Sequence, residues 1–599
     1  MTQTASANPG NARDYRLPYL GPLLILLFSL SMLALTWRRW PDILIDFGVQ
    51  LYTAWQLSEG KLLYRDIAHI YGPLSPWLNA IAFKFLGQSM LSLALLNMLF
   101  LAAILTLTYR LLTVIASRLA ATIGCLVFVG VFGFGQYMPA GNYNFITPYV
   151  AEATHGFLFY LLAAAALHHF TQTERKTALA TAAFCTGLLL LTKYELIFAG
   201  VPALAVQFFL ALRDPSRSHK IRQVLLAGIS VLIPLLLAFL VLWTYLSATQ
   251  SLRALAGPFP LLTDRSLQTS SFYREGLGTD APLANFIKLL KVLALYLLLL
   301  GPLIASLWVR RHRAPWIVLL ATFVSAAILT ALMPIDWTEI ARPFPILMIG
   351  ALAVAAYDLF CHGITPRRAL RLSMILFALL MLAKMILNAR VHHYGFVLAL
   401  PAALMIVAML TDWLPTLIDR RHGDPNIFIA ANLGVLLVVV AIHVRVTSNY
   451  MSAKTFPVGT GADTIYTTAD RGTSIEQARL DIQRLPPASA TLSVVPEGAM
   501  LNYLSRRASS IPYLAFLPSD QSLHSEMRIN QAFQAHPPDA VVVITRNQQE
   551  YGQGNFAIDY ARPLGEWIRN HYTPISRPNP NVRILMRKSV TTTPSPPPP

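Results

Sequence analysis

Charge is scarce in this chain. Asp, Glu, Lys and Arg make up 13% of its 599 residues, whereas a soluble globular protein carries about a quarter. Acids are the scarcer sign, 29 against 47 Lys and Arg, for a net charge of +18. In a soluble chain that excess would suggest nucleic acid. Here the basic residues sit mainly in short loops between apolar runs, which is the positive-inside bias of membrane proteins, and no nucleic-acid partner is expected. Cysteine is nearly absent. Cys125, Cys185 and Cys361 all lie in or beside apolar runs, which excludes a disulfide framework and a CxxC metal site. There is no P-loop, GxGxxG or GxSxG elbow, so those nucleotide-binding and hydrolase classes fall away. The adjacent His392 and His393 cannot share one helix face, so a HExxH-like zinc site is not supported. No repeat with a clear period is visible, and the first apolar run lacks a small-residue cleavage site, so it reads as a retained span.

What the chain has instead is long apolar runs, and 55% of its residues are hydrophobic. Runs such as LGPLLILLFSLSMLALTW, QVLLAGISVLIPLLLAFLVLW and FIAANLGVLLVVVAIHV approach the ~20 residues that cross hydrocarbon as a helix. Spans are expected near 18–37, 89–112, 118–138, 151–170, 177–192, 196–212, 223–246, 285–309, 315–333, 343–361, 370–388, 395–411 and 426–444. The fold class is therefore mainly α, a polytopic transmembrane bundle of about thirteen spans. With the N-terminus cytoplasmic, the loops holding Arg175 and Lys176, Arg213 to Arg222, Arg310 to Arg313, Arg367 to Arg371, and Arg420 with Arg421 fall inside. Arg38 and Arg39 break the pattern.

Length accumulates in the outer loops. The first, 38–88, holds pieces that read as amphipathic helices lying at the interface. The loop 248–284 is polar and suits either a lid or a plain connector. From about 445 the apolar runs shorten to strand length in TLSVV, AVVVI and VRILM, with helical stretches between them, so a small α/β soluble domain is expected on the outer face. The divisions are a flexible cytoplasmic N-terminus, 1–16; the transmembrane part, 17–444; the outer α/β domain, 445–588; and a Pro-rich disordered tail, 589–599.

Ionisable groups at a membrane are costly and mark candidate sites. Asp46 follows the first span, Glu152 opens the fourth, and Lys193 and Glu195 lie between the fifth and sixth. Asp336, Glu339 and Arg342 lie between the ninth and tenth, and Lys384, Arg390, His392 and His393 lie around the eleventh and twelfth. In the expected topology all fall near the outer interface. Cations there suit a lipid phosphate, and a carboxylate nearby could take a proton from an attacking hydroxyl. Plainer readings stand beside these. Lys193 and Glu195 equally suit an interface ion pair, the histidines suit ordinary loop positions, and Asp66 suits a cap.

The stretch DFGVQLYTAWQLSEGKLLYRDIAHIYGPLSP, residues 46–76, resembles the first outer loop of GT-C membrane glycosyltransferases of the protein O-mannosyltransferase and aminoarabinose transferase group. Asp46, Gly60, Tyr64, Asp66 and Gly72-Pro73 carry the match, and TKYELIFAG resembles the Lys-x-Glu stretch of such proteins. The resemblance implies an inverting transfer of a hexosyl or pentosyl group from a polyprenyl-phosphate donor at the outer face of a bacterial inner membrane. It implies Asp46 as catalytic base, with Glu152 and Asp66 as further acidic candidates. Lys193, Arg342, Arg390, His392 and His393 are candidate donor-phosphate contacts, and Glu195, Tyr64 and Tyr394 are candidate substrate contacts. Protein O-mannosyltransferases carry adjacent Asp-Glu in this loop, whereas Phe47 follows Asp46 here, so glycan and lipid acceptors stand open beside protein. No dedicated metal ligand set is visible, and metal dependence stays open, because one carboxylate near a phosphate leaves room for Mg²⁺ or Mn²⁺. A flippase of lipid-linked sugars and a non-catalytic envelope-polysaccharide assembly protein are the alternatives. The first calls for midplane charges and inverted repeats, neither of which is clear in the sequence.

Overall fold

A peptide group in hydrocarbon has no water to bond, so apolar runs must satisfy their backbone internally as helices. The computed structural model describes residues 19–139, 143–213, 219–257, 270–310, 313–487, 490–546, 548–575 and 581–588. The expected flexible N-terminus, the Pro-rich tail and positions 258–269 of the second long outer loop lie outside the described residues. Among the described residues, seven helices are long and apolar enough to cross a membrane: Met90–Ile115, Tyr194–Leu212, Lys220–Trp243, Ser271–Trp308, Trp337–His362, Phe396–Arg420 and Pro425–Ser452. Leu20–Thr36, Arg118–Gly133, Lys176–Leu190 and Trp316–Leu332 are apolar but shorter. Ala151–Thr173 and Pro366–Met381 occupy two further expected positions. They carry more polar residues, among them Glu152, His155, His168 and three arginines, and bury most of their length against neighbouring helices. Seven spanning helices make the chain a multi-pass membrane protein; the expected thirteen is a larger number than length and hydropathy establish.

The loop expected to be the first outer one, 38–88, differs from expectation. It does hold helices, Phe47–Ser58 and Leu74–Leu86. The first of them does not lie at a lipid interface, because Leu51, Tyr52, Ala54 and Trp55 are buried in protein along with Gln50, Thr53 and Gln56. The helix Ala499–Ser505 from the C-terminal part covers it. Contact is so close that a Cβ on Gly48 would stand 2.4 Å from the Met500 backbone nitrogen. Only glycine allows that approach.

The C-terminal part contains two sheets. Strands β1 (Phe456–Val458) and β2 (Ile465–Thr467) pair antiparallel. Strands β3 (Leu492–Val495), β4 (Ala540–Ile544), β5 (Tyr572–Pro574) and β6 (Val582–Arg587) form a sheet of order β3-β4-β6-β5, with β3 and β4 parallel and the other pairs antiparallel. The run AVVVI becomes a central strand because it is buried on both faces. One face packs its own core of Ile529, Phe533, Val541, Leu564 and Ile568. The other face, with Val494 and Val542, joins the core of the bundle.

This docking accounts for the two misplaced arginines. Arg38 donates to the Gly461 carbonyl at 2.8 Å, and its own carbonyl accepts from Tyr466 N at 2.9 Å. The Arg39 carbonyl accepts from Lys454 Nζ at 2.5 Å. Arg38 and Arg39 thus fasten the C-terminal part to the end of the helix Leu20–Thr36.

Candidate functional site

The first span ends at Thr36, and the chain turns through Pro41 and Asp42 before the next helix. Asp42 Oδ1 accepts from Leu44 N at 2.9 Å and Ile45 N at 3.2 Å, the local bonding that Asp supplies in turns. The turn delivers Asp46 with φ 64° and ψ −90°, at the mouth of the helix Phe47–Ser58. Asp46 lines a small cavity together with Asp42, Gln136, Asn144, Tyr149 and Lys454. Gln136 arrives through the π-helical segment Phe128–Gly133, which ends the helix begun at Arg118; such wider turns recur at functional sites. Lys454 comes from beyond the last span and donates to Gln136 Oε1 at 2.7 Å. Burial pushes its ammonium down to about 8, against the opposing pull of Asp42. Asp42, Gln136 and Lys454 were not among the sequence candidates.

Tyr149 joins this cavity to the lysines. Its hydroxyl donates to the Tyr394 carbonyl at 3.0 Å. The charges of Lys384, Asp46 and Glu195 all act on it. Lys193 Nζ stands 5.8 Å from its ring centre and 5.4 Å from that of Tyr71. Lys384 Nζ donates to Glu195 Oε1 at 2.6 Å, and Lys193 Nζ stands 3.5 Å from the same oxygen. A buried and a partly buried cation therefore share one carboxylate oxygen, while Glu195 Oε2 has no hydrogen-bond partner among the described residues. Lys193 is placed by the first loop: Gly72 N donates to the Thr192 carbonyl at 3.0 Å, and a Cβ on Gly72 would collide with the Leu191 carbonyl.

The remaining candidates are distributed around this centre. Glu152 is wholly buried, with His69 Nε2 3.1 Å from Oε1. The pair is off the line of a hydrogen bond, and neither carboxylate oxygen accepts one among the described residues. Tyr64 closes the same side, donating to the Tyr71 carbonyl at 2.6 Å. Asp66 accepts from Leu62 N at 2.9 Å and pairs with Arg65, so it builds the turn beneath Tyr64. Arg342 braces the 386–395 loop, and Arg390 lies within it. Arg342 donates to the Leu387 carbonyl at 2.9 Å and pairs with Glu339, and Arg390 pairs with Glu275 at 2.8 Å. His393 uses both ring nitrogens, one accepting from Gly395 N at 2.8 Å and one donating to the Gly276 carbonyl at 3.0 Å. Burial and the charge of Lys384 push it down to about 3, so it is a neutral brace. His392 is exposed and faces away from its neighbour. Tyr394 belongs to the centre, since Lys384 Nζ lies 5.0 Å from its ring centre.

The structure thus groups Asp46, Lys193, Glu195 and Tyr394 around Tyr149, with Glu152 and Tyr64 adjoining through His69 and Tyr71. Arg342, Arg390, His392 and Asp66 stand apart from that group. Lys384 belongs to it, although the sequence marked this lysine only as one of the clustered charges. Its sequence signal was a charge inside an expected apolar span, near its end. Among the described residues no group of three or more His, Cys, Asp or Glu side chains could hold a metal ion. Chemically, the arrangement offers a carboxylate in a small polar cavity and two ammonium groups beside it.

Residues 71–243 match a family model described as dolichyl-phosphate-mannose-protein mannosyltransferase. The matched stretch contains Glu152, Lys193 and Glu195, and Asp46 precedes it. No curated protein matches the sequence. Among solved structures, the chain is similar to ArnT from Cupriavidus metallidurans bound to undecaprenyl phosphate, with a TM-score of 0.49 and 12% identity over 96% of this chain and 99% of that one. It is also similar to the archaeal oligosaccharyltransferase AglB from Archaeoglobus fulgidus in complex with an inhibitory peptide and a dolichol-phosphate. There the TM-score is 0.49 and the identity 13%, over 94% of this chain and 73% of that one.

Proposed function

We propose that this protein is a membrane glycosyltransferase that moves a sugar from a polyprenyl-phosphate donor to a hydroxyl-bearing glycan, lipid or protein at the outer face. The observation that carries the reading is the meeting of acid and cations on Tyr149: Asp46 lines its cavity from one side, and Lys193 and Lys384 act on it from the other. The Asp46 carboxylate takes the acceptor hydroxyl proton. The acceptor oxygen attacks the anomeric carbon, and the carbon–oxygen bond to phosphate breaks with its electron pair leaving on the phosphate. Lys193 and Lys384 hold that phosphate and stabilise the charge it gains. Attack opposite the leaving group inverts the anomeric centre. In this reading the chain crosses a bacterial inner membrane thirteen times, N-terminus inside, and its C-terminal α/β part lies outside as a domain.

The test uses the full-length protein in proteoliposomes with tritiated undecaprenyl-phosphate mannose, glucose and 4-amino-4-deoxyarabinose and a native envelope fraction as acceptor. The wild type should release undecaprenyl phosphate from one of them. Asp46→Asn should lower the rate by 10²-fold or more, within the range of a lost general base. A flippase would move the lipid and leave it intact. A folded Asp46→Asn variant with full turnover would remove Asp46 from the chemistry.

A further inference from the structure

Asp46 holds φ 64° and ψ −90°, where a residue with a Cβ is strained. Such strain costs of order 1–3 kcal/mol and persists only where the surroundings over-determine it. In this chain much of what fixes Asp46 is supplied from the far end of the sequence. On the entry side, the Asp42 carboxylate that caps the turn also receives a two-pronged pair from Arg471. Arg471 Nη1 donates to Oδ2 at 2.6 Å and Nη2 to Oδ1 at 2.9 Å. Arg471 lies in the first turn of the helix Ala469–Gln483, and the Asp42 side chain is only 6% exposed. Burial alone would raise the Asp42 carboxyl. The Arg471 charge and its hydrogen bonds, with the Leu44 and Ile45 amides, hold it below its ordinary value. Asp42 therefore stays ionised with every bond committed to the turn and the clamp. Beside it, Lys454 holds the Arg39 carbonyl just before the turn. On the exit side, Gly48 is pressed against Met500.

We infer that Arg471 is a positioning residue: by pinning the Asp42 turn it holds the Asp46 carboxylate at the cavity, so the chain beyond the last span completes the site instead of merely covering it. The inference rests on Asp46 being the base. Lys193 and Lys384 have no part in the clamp, so donor binding is independent of it. The planar guanidinium matters because a lysine offers a single point charge in place of the fork.

The experiment compares Arg471→Ala, Arg471→Lys, Asp42→Asn and Asp42→Ala in the proteoliposome assay, alone and with Asp46→Asn. Arg471→Ala should lower kcat at least tenfold and leave the KM for the undecaprenyl-phosphate sugar within twofold. Arg471→Lys should recover part of that loss. Asp42→Asn should retain more activity than Asp42→Ala, because an amide oxygen still accepts from Leu44 and Ile45. In the Asp46→Asn background Arg471→Ala should cost nothing further, as residues acting through one group are not additive. A second readout is amide hydrogen exchange, which should quicken at Leu44 to Asp46 in Arg471→Ala and stay unchanged at Val494. An intact kcat, a loss confined to KM, or a full further loss in the Asp46→Asn background overturns the inference. If the wild type consumes no donor of the panel, the proposed reaction fails, and unaltered exchange at Leu44 to Asp46 then overturns the clamp by itself.

Discussion

Glu195→Gln separates the two things the lysine pair does. Lys384 and Lys193 stand 2.6 and 3.5 Å from one oxygen of Glu195, so their ammonium groups lie within ~6 Å of each other. Two like charges at ~6 Å repel by roughly 3 kcal/mol at an effective dielectric of about 20. The Glu195 carboxylate offsets that repulsion. Glutamine keeps the shape and one acceptor oxygen but removes the charge, so the ligand-free protein should lose about 3 kcal/mol, near the low end for breaking a buried ion pair. A phosphate placed between the lysines would replace the missing charge. Undecaprenyl phosphate should therefore bind Glu195→Gln about tenfold more tightly than wild type, a difference of ~1.4 kcal/mol. Thermal unfolding in detergent, run with a titration of undecaprenyl phosphate, reads both effects, because a ligand of the folded state raises its stability with concentration. Lys384→Met should lose the ligand-dependent stabilisation. Tightening absent from Glu195→Gln would show that the lysines do not receive the phosphate, and an unchanged apo unfolding temperature would show that the three charges are not coupled.

Two further outcomes follow from the C-terminal part of the chain and the helix it covers. Gly48→Ala places a methyl 2.4 Å from a backbone atom of Met500, which cannot yield as a flexible side chain would. It should cost about 1–3 kcal/mol and speed limited proteolysis between the helix Pro425–Ser452 and the C-terminal sheet. Asp520, whose carboxyl burial pushes up to about 6, should make stability depend on pH. Below the unfolded value of 3.8 folded and unfolded states both hold the proton, and above about 6 both have lost it, so the fold then bears the full cost of burying the charge. Asp520→Asn should accordingly raise stability at pH 7 by up to about 3 kcal/mol, with the gain fading at pH 4 in a denaturation series.

Much of the helical scaffold was legible because hydrocarbon leaves an apolar run little choice. The strands β3, β4 and β6 were legible because short β-branched runs buried on a sheet look alike in any fold. Crossing number was less so, since Ala151–Thr173 buries its polar residues against protein and no longer reads as a lipid-facing span. For the site, Lys193 and Glu195 stood out because they sit close together where charge is expensive. Asp42, Lys454 and Arg471 did not, because each is an ordinary loop or helix residue until folding brings together positions 429 apart. The one trace they left was indirect: Arg38 and Arg39 broke the expected charge pattern, and both engage the C-terminal part. Arg342 and Arg390 drew attention for the same reason as Lys193, yet Glu339 and Glu275 engage them, and sequence distance gives no warning of that.

The covering of the helix Phe47–Ser58 by Ala499–Ser505 bears on how the protein is made. The loop bearing Asp46 leaves the ribosome after the first span, whereas Arg471 and Met500 emerge only when the whole bundle has been threaded. A nascent chain can thus occupy the membrane with its lysines in place while the carboxylate has yet to settle. Activity would then be the last property acquired in biogenesis, and a chain halted before its final segment would be inserted but inert.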